Sequence, residues 1–244
     1  MEVSLALNPD SSSDPAALKE LGAARFKAGD LQGAAEAFTA LIELIELLLS
    51  QQQAADELEV EQQAHGSDEQ EQACAEAQQQ QQMQMLLAGA LSNRAACWLG
   101  LNKHEECVAD CWAALQALAA GNRSVVAAVS SDAQLGGGAP TAGAYCSTER
   151  ILSLGSGRSS SCSGVVLGLQ HLQQPAQLLA LTSKAAAQSA ARTVARLAAA
   201  CVCLKWLPAA EAAFDWAAAC WGVLGEEGRV AAILADKHKL QQQV

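Results

Sequence analysis

Residues 17–44, ALKELGAARFKAGDLQGAAEAFTALIEL, limit the fold more than any other part of the chain. Leu18, Leu21, Gly22 and Phe26 fall at helical spacing, Ala28-Gly29-Asp30 forms a turn, and Leu31, Ala34, Phe38 and Leu41 resume the spacing. The pattern predicts two amphipathic helices joined tightly. Gly22 and Ala34 are small where two antiparallel helices must approach, and larger neighbours fill the seam. The same grammar returns twice. In ALSNRAACWLGLNKHEECVADCWAALQAL, Ala95 takes the place of Gly22, Cys107 that of Ala34 and Cys111 that of Phe38. In ARTVARLAAACVCLKWLPAAEAAFDWAAACWG, Ala198, Ala210 and Phe214 take those places. Gly22 and Ala95 are 73 positions apart, and Ala95 and Ala198 are 103 apart.

A small residue, an aromatic, a turn, then alanine and an aromatic four positions on resembles the tetratricopeptide repeat, whose unit is about 34 residues. Set against that period, the two offsets leave insertions of about 39 and 69 residues. The resemblance covers rather under half of the chain. It implies an all-α, right-handed superhelical solenoid of helical hairpins: three tetratricopeptide-like repeats, a capping helix and two low-complexity insertions. The expected order is a disordered leader (1–14), the first repeat (15–50), a Gln/Glu-rich insertion (51–85) and the second repeat (86–119). A Ser/Gly-rich insertion (120–174), a long helix with the third repeat (175–223) and a C-terminal capping helix (224–244) follow. Asp14-Pro15 reads as an N-cap with proline at the first helical position, Pro175 as the start of the long helix, and Pro208 as the start of the next. Val230, Ile233, Leu234 and Leu240 form the stripe by which the last helix would cover the end of the stack.

Composition sets limits on partners and stability. Hydrophobic residues make up 51% of the chain but aromatics only 4%, and alanine buries little area, so a few Leu, Phe and Trp must supply the core. Of the net charge of −11, residues 51–85 hold eight acidic groups and no Lys or Arg, which leaves the rest at −3. That segment also holds thirteen glutamines and reads as solvated and mostly disordered. Residues 121–165 hold ten serines and eight glycines and read as linker. No basic stripe suits a nucleic-acid backbone. No apolar window of about 18 residues suits a membrane. The start lacks a basic region followed by an apolar run, so a cytoplasmic location and free thiols are expected for the nine cysteines.

Catalytic patterns are missing from the sequence. His65, His104, His171 and His238 are scattered, with no H-E-x-x-H pair. Cys201 and Cys203 point to different sides of a helix; Cys107 and Cys111 share a face, but at packing positions, where cysteine acts as a small hydrophobe. No serine sits in a G-x-S-x-G elbow. The expected protein is not an enzyme and uses no cofactor or metal.

An electrostatic constellation points to binding instead. In stacked helical hairpins the first helix of each repeat lines one concave groove. Lys19 lies in the first helix of the first repeat, Asn93 at the matching place in the second, and Arg192 and Arg196 four apart in the third. Two guanidiniums, an ammonium and a carboxamide converging on one groove suit two neighbouring carboxylates, such as those ending a peptide with an acidic residue. The arrangement resembles the carboxylate clamp of tetratricopeptide co-chaperones that hold the Glu-Glu-Val-Asp tails of the seventy- and ninety-kilodalton heat-shock chaperones. That clamp has a Lys and an Asn four apart, then an Asn, then a Lys and an Arg four apart. Lys19, Asn93 and Arg196 match it, Arg192 replaces a Lys with its charge kept, and Ala23 stands where the first Asn would be. The resemblance thus implies a protein partner, a chaperone tail, with no nucleic acid or membrane. A pure scaffold that grips a helix or extended segment in an apolar groove is the alternative. SNRAACWLGLNKHEECVADCWAAL followed, after a long connection, by ARTVARLAAAC also resembles the repeat module of co-chaperones that assist axonemal dynein assembly.

Overall fold

The structure, a computed structural model, describes residues 14–60, 69–133 and 183–242. These form seven helices and no strand: α1 (Pro15–Lys27), α2 (Leu31–Val60), α3 (Glu69–Gly100), α4 (His104–Ala133), α5 (Lys184–Cys203), α6 (Leu207–Val223) and α7 (Glu227–Gln241). The all-α class is therefore observed. The helices pair into three hairpins, α1/α2, α3/α4 and α5/α6, packed in chain order, with α3 also touching α5 directly and α7 against α6.

Local signals explain where the helices start. Asp14 is extended, and its Oδ1 accepts the Ala16 N–H at 2.9 Å, while Pro15, which lacks an N–H, occupies the first turn. Ser183 does the same for α5, its hydroxyl accepting the Ala186 N–H at 3.3 Å. Helix α5 begins at Lys184, and because a capped, extended Ser183 (ψ 152°) cannot lie inside a helix, the single helix predicted from Pro175 through to the third repeat is interrupted there. Pro175 itself falls outside the described residues. Pro208 lies in the first turn of α6, where no intrahelical bond is lost.

The turns repeat more faithfully than the helices. In each hairpin the residue just past the first helix adopts a left-handed conformation: Gly29 (φ 81°), Asn102 (φ 59°) and Lys205 (φ 60°). The following N–H then reaches back five positions: Asp30 to the Arg25 carbonyl at 3.0 Å, Lys103 to Trp98 at 2.8 Å, and Trp206 to Cys201 at 2.8 Å. This is a Schellman cap, which satisfies carbonyls that a helix end would otherwise orphan. Gly225 and Glu226 repeat it between α6 and α7. Gly29, Asn102 and Lys205 are 73 and 103 positions apart, the offsets that separate Gly22, Ala95 and Ala198. Backbone geometry and side-chain size thus report one register.

The seam positions are buried as their sizes require. Ala34, Ala95, Cys107, Cys111, Ala198 and Ala210 have no exposed surface. A Cβ at Gly22 would stand 2.7 Å from the Phe38 ring, so the glycine lets α1 lie directly on that aromatic. Phe38, Leu41, Ile45, Val194 and Leu197 are the largest apolar side chains that are fully buried, and Trp216 and Trp221 close the core towards α7.

Helix lengths depart from expectation. The Gln/Glu-rich segment is not mostly irregular: α2 runs through to Val60 and α3 begins at Glu69, so only 61–68 fall outside the described residues. Two facts account for this. Glutamine, glutamate and alanine extend a helix readily once it has been nucleated elsewhere. The added turns of α3 also have a partner, since Gly121 of α4 is buried against Gln81 and Gln84. Helix α4 likewise continues to Ala133, into the stretch read as linker. Helix α7, Glu227–Gln241, falls inside the 224–244 segment expected to cap the stack. On its stripe Ile233 is buried and Val230 half-buried, but Leu234 is 46% exposed. Helix α7 meets α6 along a narrow line, and polar ties complete the contact: Lys237 to Asp215 at 2.5 Å and Gln241 to Glu211 at 3.3 Å.

Candidate functional site

Lys19, Asn93, Arg192 and Arg196 lie on α1, α3 and α5, the first helices of the three hairpins. Their environments differ. Lys19 and Arg192 are exposed, Asn93 is half-buried, and Arg196 is largely covered between α5 and α3. Among the described residues neither Lys19 nor Arg192 pairs with a carboxylate. Ala23, at the place of the missing carboxamide, is half-buried and brings no donor.

Arg196 is a tie between hairpins as well as a charge. Its Nη1 donates to the Ser92 carbonyl at 2.8 Å and to the Ser92 hydroxyl. The hydroxyls of Ser92 and Thr193 are 2.8 Å apart, and Thr193 donates to the Ser189 carbonyl at 2.8 Å. A guanidinium has five donors, and Nε and Nη2 of Arg196 make no hydrogen bond among the described residues. Burial lowers the guanidinium's pKa, and the like charge of Arg192 acts the same way, while the nearby thiols of Cys111, Cys107 and Cys97 oppose it. The structure therefore ties Arg196 to Ser92, the residue before Asn93 in α3, and sets the charge of Arg192 near that of Arg196. Lys19 makes no bond to the other three.

The cysteines behind Arg196 are core residues. Cys97, Cys107, Cys111, Cys201 and Cys220 are buried and Cys203 is exposed, and none of the six is in a disulfide. Burial pushes Cys97 up to about 11 and Cys220 up to about 12. The Cys111 thiol hydrogen-bonds Cys107 and holds its pKa down, while the same contact and burial push Cys111 up. Among the described residues no group of three or more His, Cys, Asp or Glu is placed to hold a metal ion, and no helix is long and apolar enough to cross a membrane.

One polar network was not anticipated from the sequence. Arg94, next to Asn93, forms a two-pronged ion pair with Asp110 of α4: Nε to Oδ2 and Nη2 to Oδ1, both at 2.8 Å. Its Nη1 donates to Thr39 of α2 at 3.1 Å, which links the first two hairpins. Donating to the Asp110 carboxylate raises the Arg94 pKa. The available signal was Asp110 itself, a carboxylate flanked by Ala109 and Cys111 on an apolar stripe, which needs a cationic partner. By holding α3 against α2 and α4, Arg94 fixes the helix that carries Asn93.

No family model matches the chain, and no curated protein or solved structure matches it.

Proposed function

We propose that the chain is a tetratricopeptide-type adaptor or co-chaperone. The face formed by its first helices would capture the acidic C-terminal tail of a partner protein, in the manner of a carboxylate clamp. The observation that carries this reading is the exposure of Lys19 and Arg192, unpaired among the described residues, on the first helices of the outer hairpins, with Asn93 between them in the chain. The repeated seam and turn register supports the solenoid on which such a face depends. Arg196 contributes through Nε and Nη2 while Nη1 anchors α5 to Ser92. In this arrangement Arg192 is the chief cation for a side-chain carboxylate, and Asn93 and Lys19 serve the terminal one. Ala23 supplies no hydrogen bond, so the tail is held less tightly than by a complete clamp.

Arg192→Ala tests the assignment. It is expected to weaken binding of a Glu-Glu-Val-Asp peptide about five-fold, the effect of losing one exposed charge-assisted contact, with the melting temperature unchanged because the side chain is exposed. Unchanged affinity would remove Arg192 from the site. The alternative, an apolar groove that grips a partner helix or extended segment, predicts binding indifferent to ionic strength, whereas a clamp weakens as salt screens its charges.

A further inference from the structure

Helix α5 carries a longer row of polar and cationic side chains than the two arginines alone. Lys184, Gln188, Arg192 and Arg196 follow one another at intervals of four residues. Such residues are neighbours on a helix surface, separated by about 6 Å along the axis in a row inclined by about 26° to it. Lys184 and Arg192 are exposed and Gln188 is half-buried. The sequence of α5, KAAAQSAARTVARLAAACVC, contains no acidic residue, and among the described residues no carboxylate pairs with Lys184 or Arg192. Lys184 also occupies the first position of α5, where the partial positive charge of the helix end disfavours a cation, and the first turn holds no acidic residue to offset it. For stability alone this is the wrong charge in that place.

We infer that the row Lys184–Gln188–Arg192–Arg196 is a docking track for an acidic peptide segment in extended conformation, continuing past the tail-binding positions towards the start of α5. The dimensions agree. Two residues of extended chain advance about 6.6 Å, close to the step between Arg196 and Arg192. The step of about 12 Å from Arg192 to Lys184 corresponds to about four extended residues. Carboxylates two and then four residues apart therefore meet successive cations, and the Gln188 carboxamide lies between to donate to and accept from the ligand backbone. The partner is an acidic protein segment longer than a terminal pair of carboxylates. This inference rests on the reading of the first-helix face as peptide-binding, but it does not require a free C-terminus.

The test uses the full chain and two labelled peptides read by fluorescence anisotropy. One is Glu-Glu-Val-Asp with a free carboxylate. The other is an amidated nonapeptide with glutamates at positions 1, 5 and 7. Lys184→Gln should weaken the nonapeptide about three-fold, and Lys184→Glu about ten-fold, with the tetrapeptide unaffected by Lys184→Gln. Lys184→Glu should at the same time raise the melting temperature, because an anion suits the helix start. Opposite movements of binding and stability cannot arise from unfolding. Nonapeptide affinity unchanged by both variants, or no nonapeptide binding at all, would overturn the track. Equal, Lys184-dependent binding of oligothymidylate or of phosphatidylserine vesicles at the same salt would overturn its assignment to peptides. If the tetrapeptide bound equally well as its amide, terminal capture would fail, and Lys184-dependent nonapeptide binding would still establish the track.

Discussion

Asp110 has only 9% of its side chain exposed, so its carboxylate is tolerable only while Arg94 grips both oxygens. Asp110→Ala strands the guanidinium, leaving Thr39 as its one remaining hydrogen-bond partner among the described residues and only the more distant charges of Glu43 and Glu46. It should cost roughly 2–4 kcal/mol, read as a lower urea midpoint, because breaking a largely buried pair leaves an uncompensated charge. The double replacement Arg94→Met with Asp110→Leu should recover most of that loss, and a double variant as unstable as the single one would contradict this account. Buried thiols make a second prediction. The Cys97 pKa is raised from 9.0 to about 11, so the stability that its burial contributes is complete below pH 9. It is lost as pH climbs towards 11, because the unfolded chain releases that proton first. The urea midpoint should fall between pH 8 and 10.5, and fall less in Cys97→Ala. Equal slopes would exclude Cys97 as the cause. At this scale the sequence was legible wherever size decides: Gly22, Ala34, Cys107 and Cys111 are all buried at the seam. It was illegible where partners are remote. Arg94 and Asp110 lie 16 positions apart on different helices, and Ser92 and Arg196 lie 104 apart.

Helix ends were legible where a local cap decides them, as Asp14-Pro15 and Gly29 show, because capping is a contest among neighbouring residues. They were illegible where tertiary support decides. Composition pointed to a solvated insertion at 51–85, yet α3 reaches back to Glu69 because α4 continues alongside it and Gly121 lets the two meet. The helical reading makes a sharp prediction. Gln81→Pro, placed inside α3, removes a helical hydrogen bond and drives its ring into the preceding turn. It should cost about 3 kcal/mol and lower the circular-dichroism signal at 222 nm, whereas proline in an irregular insertion would change neither. The start of α5 illustrates the local rule again: Ser183 caps it, so α5 does not run unbroken from Pro175, which lies outside the described residues. That start places Lys184 at the first position of the row proposed as a docking track.

At the scale of the whole molecule, three hairpins and a closing helix stack in chain order, and the charged positions of interest fall on the first helix of each hairpin. The core that supports them is alanine-rich, so each large side chain counts. The order of the hairpins could be read from the sequence because the repeat recurs in size and turn chemistry. The environments of the four predicted site residues could not. Arg196 proved to be committed in part to Ser92, whereas Arg192 and Lys19 face solvent. The central claim is that this face holds an acidic C-terminal tail. Titration of the full chain with a labelled Glu-Glu-Val-Asp peptide, beside the same peptide amidated at its C-terminus, tests it most directly. The account predicts binding of the free acid that weakens with added salt and is largely lost in the amide. Equal affinity for the two forms, or no binding of either, would contradict it.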